Sequence, residues 1–406
     1  MKKTFFSLLT MAIVSMPVFA EIDESMNPVI TGMPSQSIGT DAIAGAMGDI
    51  GAATTPDMYS QHWNPSKYAF MESHGGISVN YTPWLRKLVH DIDLAYITGY
   101  YKFSDFDALS ASFRYFSMGN VTLTDNTGAT MMDVKPNEWA LDIAYSRRLT
   151  DHFSMGVTLR AMVSDLNNGA NASVMGSGAD MHAAWTMAAD VSMYYALPIE
   201  IAMGESKFAW GLNLSNLGGK VTYDDVTRNF IPANLKFGLS YELPFDDYNR
   251  LSFNVDLNKL LVPTRRSRIV EKELGFTGTA DDRDLWYAEN ATDINEWYSA
   301  LQSPRGWFLS FADAPNGALE ELKEIQFGVG LEYSYDRKFF ARAGYSHENK
   351  LKGNRRYFTV GAGFRLSIFE LHAAYVIGTA ATNPLDQTLR FSMAFDLAGI
   401  KSLIKD

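Results

Sequence analysis

The sequence predicts an all-β fold: a fourteen-stranded antiparallel outer-membrane β-barrel with an N-terminal plug, or hatch, in its lumen. Three observations predict it. An export signal opens the chain, segments of about ten residues alternate apolar and polar side chains along most of its length, and the connections between these segments alternate between short and long.

Residues 1–20 join a basic start at Lys2 and Lys3 to an apolar run from Phe5 to Met16 and a small-residue end at Val18, Phe19 and Ala20. These are the three parts of a secretory signal peptide, with cleavage expected after Ala20. The chain contains no cysteine, which excludes a lipoprotein attachment site, a disulfide framework and thiolate metal ligands. Loss of Lys2 and Lys3 takes the formal net charge from −11 to −13, two positive charges fewer, and so acidic a chain argues against a nucleic-acid partner. No apolar run of about eighteen residues follows the signal, so no transmembrane helix is expected. A content of 47% hydrophobic and 13% aromatic residues is nevertheless too rich for a disordered secreted chain. Anchoring falls to strands.

Residues 21–74 are expected to form an N-terminal extension and luminal plug. Between Gly48 and Phe70, the small residues Gly48, Gly51, Ala52 and Ala53 allow close packing, and Pro56, Asp57, Asn64 and Pro65 supply turn chemistry.

Residues 75–396 are expected to form the barrel. Leu251, Phe253, Val255 and Leu257 alternate with Ser252, Asn254, Asp256 and Asn258, one face apolar and the other polar. The same period places strands near 75–84, 91–103, 106–116, 137–148, 152–164, 183–197, 207–216, 233–243, 249–260, 323–335, 338–346, 354–366, 368–378 and 386–396. Ordinary strands run about five or six residues, whereas a tilted membrane-spanning strand needs about 9 to 11. Connections after even-numbered strands are mostly tight. Those after odd-numbered strands include 117–136, 165–182, 217–232 and the large external loop 261–322, the asymmetry of short periplasmic turns and long external loops. A loop of that size needs structure of its own, and helical stretches are expected around 294–302 and 314–323. Residues 397–406 are expected to form a periplasmic C-terminal tail.

No Gly-x-Ser-x-Gly elbow, phosphate-binding glycine loop or His-Glu-x-x-His helix occurs, so no catalytic, cofactor or metal residue is assigned and the chain is read as a non-enzyme. His152 and Ser154 share one strand face. They are either an ordinary polar pair or, with an orienting carboxylate, the start of a hydrolase site acting on lipid A. Asp281, Asp282 and Asp284 lack calcium-loop spacing. Asp57, Gln61, His62, Trp63, Asn64 and Pro65 either tie the plug to the polar wall or meet a ligand entering the lumen. In the large loop, Arg265, Arg266 and Arg268 form a solvated cluster or a site for lipopolysaccharide phosphates or an acidic partner. Trp286, Trp297 and Trp307 pack as a lid or offer partner contacts.

The run from Ala46 to Asp57, followed by Gln61-His62-Trp63-Asn64-Pro65-Ser66-Lys67-Tyr68, resembles the PorV family, outer-membrane components of the type IX secretion system of Bacteroidota. The resemblance implies a shuttle that receives secreted proteins by their C-terminal signal domains at the translocon barrel. It then presents them to a cell-surface attachment complex containing a sortase, within outer-membrane lipid and lipopolysaccharide. More distantly, the chain is similar to the FadL long-chain fatty-acid transporters, whose hatch carries an Asn-Pro-Ala motif. Here that motif reads Asn64-Pro65-Ser66, which leaves a transporter of hydrophobic molecules as the alternative.

Overall fold

Strict alternation puts the polar side chains of a strand opposite its apolar ones, and here the sheet closes on itself with the polar face inward. The computed structural model describes residues 26–86, 89, 91–124, 127–168, 181–379 and 385–397. The expected signal peptide, and residues 398–406 of the expected tail, lie outside these.

Fourteen antiparallel strands form the closed barrel. They are β1 Gly75–Pro83, β2 Ile92–Lys102, β3 Asp107–Met118, β4 Asn137–Arg148, β5 Phe153–Asp165, β6 Ala184–Ile201 and β7 Gly204–Gly218. The second half comprises β8 Asn234–Pro244, β9 Asn249–Leu260, β10 Gln326–Tyr335, β11 Phe339–His347, β12 Arg356–Leu366, β13 Phe369–Gly378 and β14 Leu389–Asp396. Each pairs with its neighbours in sequence, and β1 closes on β14 with Ile77 opposite Phe395 and Tyr81 opposite Phe391. Closure removes the free sheet edges that a membrane would not tolerate. No helix among the described residues is long and apolar enough to cross a membrane.

The burial pattern is that of a water-soluble protein turned inside out. Val79, Ile97, Phe113, Leu141, Leu159, Val255, Leu331 and Phe391 stand exposed on the outer wall, while Ser78, Thr98, Ser112, Asp142, Arg160, Asn254 and Ser392 are buried inward. At the short-turn end, Phe103 stacks on Tyr145 at 6.4 Å and Tyr248 on Tyr335 at 6.2 Å, part of the aromatic girdle of such barrels.

Some expected bounds shift, among them the start of the last strand, which is at Leu389 and not near 386. β6 and β7 run on past Pro198, with Glu200 opposite Glu205 and Ile201 opposite Gly204; Pro198 lacks one donor, but its neighbours carry the ladder. The strand expected from residue 323 begins at Gln326, because the chain before it is helical. The connections 117–136 and 217–232 contain small hairpins, Val121–Thr124 with Thr130–Val134 and Val221–Thr222 with Arg228–Asn229. The largest connection carries five helices: α2 Arg268–Glu273, α3 Arg283–Glu289, α4 Ala291–Ala300, α5 Ser303–Leu309 and α6 Ala318–Lys323. A shorter helix, α1 Ala42–Ala46, lies earlier in the chain, inside the barrel.

Candidate functional site

The N-terminal segment enters at the long-loop end. Asn27 bonds the Leu351 and Arg266 carbonyls at 3.0 and 2.8 Å, and the Gly32 amide donates to Phe230 at 2.8 Å. From there the chain descends into the lumen. Asp41 caps α1 by accepting from the Ala44 amide at 2.9 Å, and its other oxygen takes the Trp63 indole N–H at 2.5 Å. The wall makes room by omitting side chains: a Cβ on Gly344 would lie 2.1 Å from the Met47 carbonyl carbon, and one on Gly211 would lie 1.9 Å from the Ala52 oxygen.

Wall side chains then fasten the segment. Asp256 accepts the Gly51 and Ala52 amides at 2.9 and 3.0 Å. Arg390 forks onto Asp49, which also takes the Tyr357 hydroxyl at 2.5 Å. The candidate motif is fastened in the same way. Asn64 donates to the Ala52 and Met193 carbonyls at 2.8 and 2.9 Å. Pro65 opens a 3-10 turn whose carbonyls accept from inward serines, Pro65 from Ser146 at 2.7 Å and Ser66 from Ser154 at 2.8 Å. His62 meets Arg114 at 2.9 Å. Asp57 accepts from Tyr59 N and Ser60 Oγ within its own turn, both at 2.9 Å. The Gln61 amide donates to the Tyr68 hydroxyl at 3.0 Å.

Two cavities lie on either side of this segment. Toward the long loops, about 120 Å³ is lined by Trp63, Asp49, Lys236, Trp84, Arg355 and Tyr357, with the Lys236 ammonium 4.7 Å from the centre of the Trp63 ring. Toward the short turns, about 730 Å³ is lined by Thr55, Met58, Arg250, Glu332, Phe340 and Arg342 among others.

At the long-loop end, residues 261–325 fold into a body with its own apolar clusters. Phe230, Val262, Tyr298 and Leu301 form one cluster, and Val270, Tyr287 and Ile294 another; Trp297 packs against both. Trp286 lies 5.2 Å from the rings of Phe276 and Tyr287. The three arginines are held within this body and against the neighbouring hairpin. Arg265 reaches Asn229 at 3.0 Å and covers the Tyr298 ring, Arg266 pairs with Asp284 at 2.6 Å, and Arg268 donates to the Ala312 carbonyl at 2.7 Å. Of the three tryptophans, Trp307 lines a surface groove of about 610 Å³, shared with Lys220 and Arg228.

Sequence reasoning missed Lys220 and Asp313, because their partners are remote along the chain. Lys220 donates to the Tyr298 and Ser299 carbonyls at the C-terminal end of α4, where a cation is favoured. Burial, with Arg228 and Arg265 near, pushes its ammonium down to about 8. Asp313 is fully buried and takes the Thr264 amide and hydroxyl at 2.6 and 2.8 Å. Burial first, then Glu324, raises its carboxyl to about 7.

The alternative chemistries find their groups occupied. Ser154 Oγ donates to Ser66, and His152 Nδ1 meets the Ala196 carbonyl at 3.1 Å. Asp282 accepts from the Thr279 amide and hydroxyl, both at 2.8 Å, while Asp284 holds Arg266. Asp313, Glu321 and Glu324 offer oxygens within 4.8 Å of one another, but both Glu324 oxygens are taken, by Lys259 at 2.7 Å and Lys352 at 3.0 Å.

In comparisons with known proteins, the toluene transporter TodX of Pseudomonas putida has a similar structure, with TM-score 0.50 and 12% identity over 89% of this chain and 98% of that one. The Ralstonia pickettii toluene transporter TbuX gives 0.47 and 13%, over 88% and 97%. A FadL homologue of Pseudomonas aeruginosa gives 0.42 and 11%, over 92% and 100%. No curated protein matches the sequence. A family profile described as "Type IX secretion system protein PorV" matches residues 21–267.

Proposed function

The chain belongs to the PorV family of type IX secretion system proteins, and from that premise we propose that this outer-membrane barrel is a cargo carrier. It binds secreted proteins by their C-terminal signal domains, takes them from the translocon barrel and hands them to the sortase-containing attachment complex. The observation that carries this reading is the folded body at 261–325, with its own clusters and a groove at Trp307. A loop that only joined two strands would need no core. In barrels of this type the long loops face outward, so this body lies where exported cargo arrives. A β-sandwich signal domain would offer it strand edges and a mixed surface.

The segment 26–74 acts in this reading as a structural plug, since its motif residues bond to the wall and to one another. Confinement to a membrane plane raises the effective concentration of loaded carrier near its acceptor. The carrier needs no catalytic group, because removal of the signal domain belongs to the attachment complex. Passage of hydrophobic molecules is less well served: Asp49, Lys236 and Arg355 line one cavity, and Arg250, Glu332 and Arg342 the other.

Deletion of residues 265–315 tests the proposal. The barrel should still fold and reach the outer membrane, and recovery of secreted cargo with the affinity-purified protein should fall at least tenfold. Unchanged recovery would remove the loop from the mechanism.

A further inference from the structure

The outer wall and the folded loop meet at Lys259. On β9 the lipid-facing side chains Phe253, Val255 and Leu257 are each more than a third exposed, and Lys259 is the next residue on that same face. Yet Lys259 is only 8% exposed. What covers it is the loop: Glu324 lies 2.7 Å and Glu321 3.4 Å from its ammonium, and the Phe311 ring centre lies 5.8 Å away. The stretch from Phe311 to Glu324 therefore touches the outside of the wall through Phe311, Glu321 and Glu324, just beyond the lipid-facing column.

This stretch is amphipathic in a particular sense. On α6, Glu320, Glu321 and Glu324 share the side that Lys259 and Lys352 neutralise. At about 100° per residue, Leu319 and Leu322 fall on the opposite side, 44% and 62% exposed. On α5, Gly306 abuts Phe230 of the loop's core. Phe308, two positions on, faces the other way and is 78% exposed. With Phe311, half exposed, these make four large apolar side chains exposed on the C-terminal part of the loop, the kind of surface that marks an interaction site.

We propose that this face is an interfacial foot: Phe308, Phe311, Leu319 and Leu322 sit in the outer leaflet beside the barrel and fasten the loop body to lipid. The occupant is lipid because the patch continues the barrel's own lipid-facing surface. Leu257 pairs with Phe327 at the top of that surface, and Phe311 takes the next level over Lys259. Phenylalanine and leucine are the side chains that interfacial segments bury at the headgroup boundary. The foot also explains why so much charge is committed at one point: the acidic side of α6 must be held against the wall for its leucines to face outward.

The absence of native cysteine allows a direct test. Full-length variants Phe308→Cys, Phe311→Cys, Leu319→Cys and Leu322→Cys would each carry one nitroxide label in vesicles of phosphatidylethanolamine and lipopolysaccharide. Leu285→Cys on α3, at a 65% exposed position, serves as the aqueous control. Circular dichroism would establish that each variant retains its sheet. Collision with oxygen should exceed collision with a water-soluble nickel chelate severalfold at the four foot positions, and the order should reverse at 285. Chelate-dominated collision at all four would overturn the proposal. So would protection that appears only in complexes isolated with a second protein, which would make the face a protein interface.

Discussion

Asp313 carries the clearest pH dependence at the scale of single residues. Its carboxyl, ordinarily at 3.8, is raised to about 7, so between those values the unfolded chain ionises while the folded site keeps its proton. A carboxylate shifted upward makes its most favourable contribution at low pH and loses it as pH rises toward 7. The groups facing it are Glu321 and Glu324, with Glu320, Lys259 and Lys352 behind them. Glu320, although burial works against its charge, is held below 4.5 by Lys352, so its own contribution is lost only under more acid conditions. Proteolysis within 265–315 should therefore accelerate severalfold from pH 5 to pH 8 in the wild type, and the Asp313→Asn variant should be flat across that window. Equal pH profiles would exclude Asp313. Nothing in the sequence marked this residue: Thr264 lies 49 positions away, and an aspartate followed by alanine and proline reads as ordinary loop chemistry. His62, Trp63 and Asn64 stood out instead, because a turn-rich run with bulky side chains is legible without knowing what surrounds it.

At the scale of elements, strands were the legible part. Period-two alternation is local, so Leu251 to Asn258 declares its two faces with no partner in view. Helices expected around 294–302 and 314–323 overlap α4 and α6, which run 291–300 and 318–323, while β10 starts at Gln326 and not near 323, beyond the end of α6. The glycines of β10 and β11 were harder to read. Gly328, Gly330 and Gly344 occupy inward positions where Met47, Gly48 and Ile50 press against the wall, and their purpose depends on a segment nearly three hundred residues earlier. Gly344→Val should therefore push the luminal segment from its seat at a cost of about 1–3 kcal/mol, as overpacking usually does. A lowered thermal midpoint with new cleavage between residues 39 and 70 would be the expected result; a wild-type midpoint and cleavage pattern would refute the seating.

For the whole molecule, closure of fourteen strands around a folded segment leaves a cavity on each side of that segment. Removing residues 39–70 should join them, so planar bilayers containing that variant should conduct ions in discrete steps at least tenfold larger than any seen with the full chain. Silence from a correctly inserted variant would mean that the wall itself closes the lumen. The sequence by itself determined the barrel class, the strand number, the outward apolar face and the existence of a large structured loop, because alternation, strand length and loop asymmetry are properties of consecutive residues. Only the tertiary structure decided which polar groups hold the interior. Arg390 meets Asp49 across 341 positions, Asp256 caps the Gly51 and Ala52 amides, and Ser146 and Ser154 fasten the Pro65–Ser66 turn. It likewise decided that Arg265, Arg266 and Arg268 are consumed inside the loop, and that Lys259 lies under it. The physical reason is that a hydrogen bond or ion pair depends on distance in space, and a closed barrel brings together side chains that the chain keeps hundreds of residues apart.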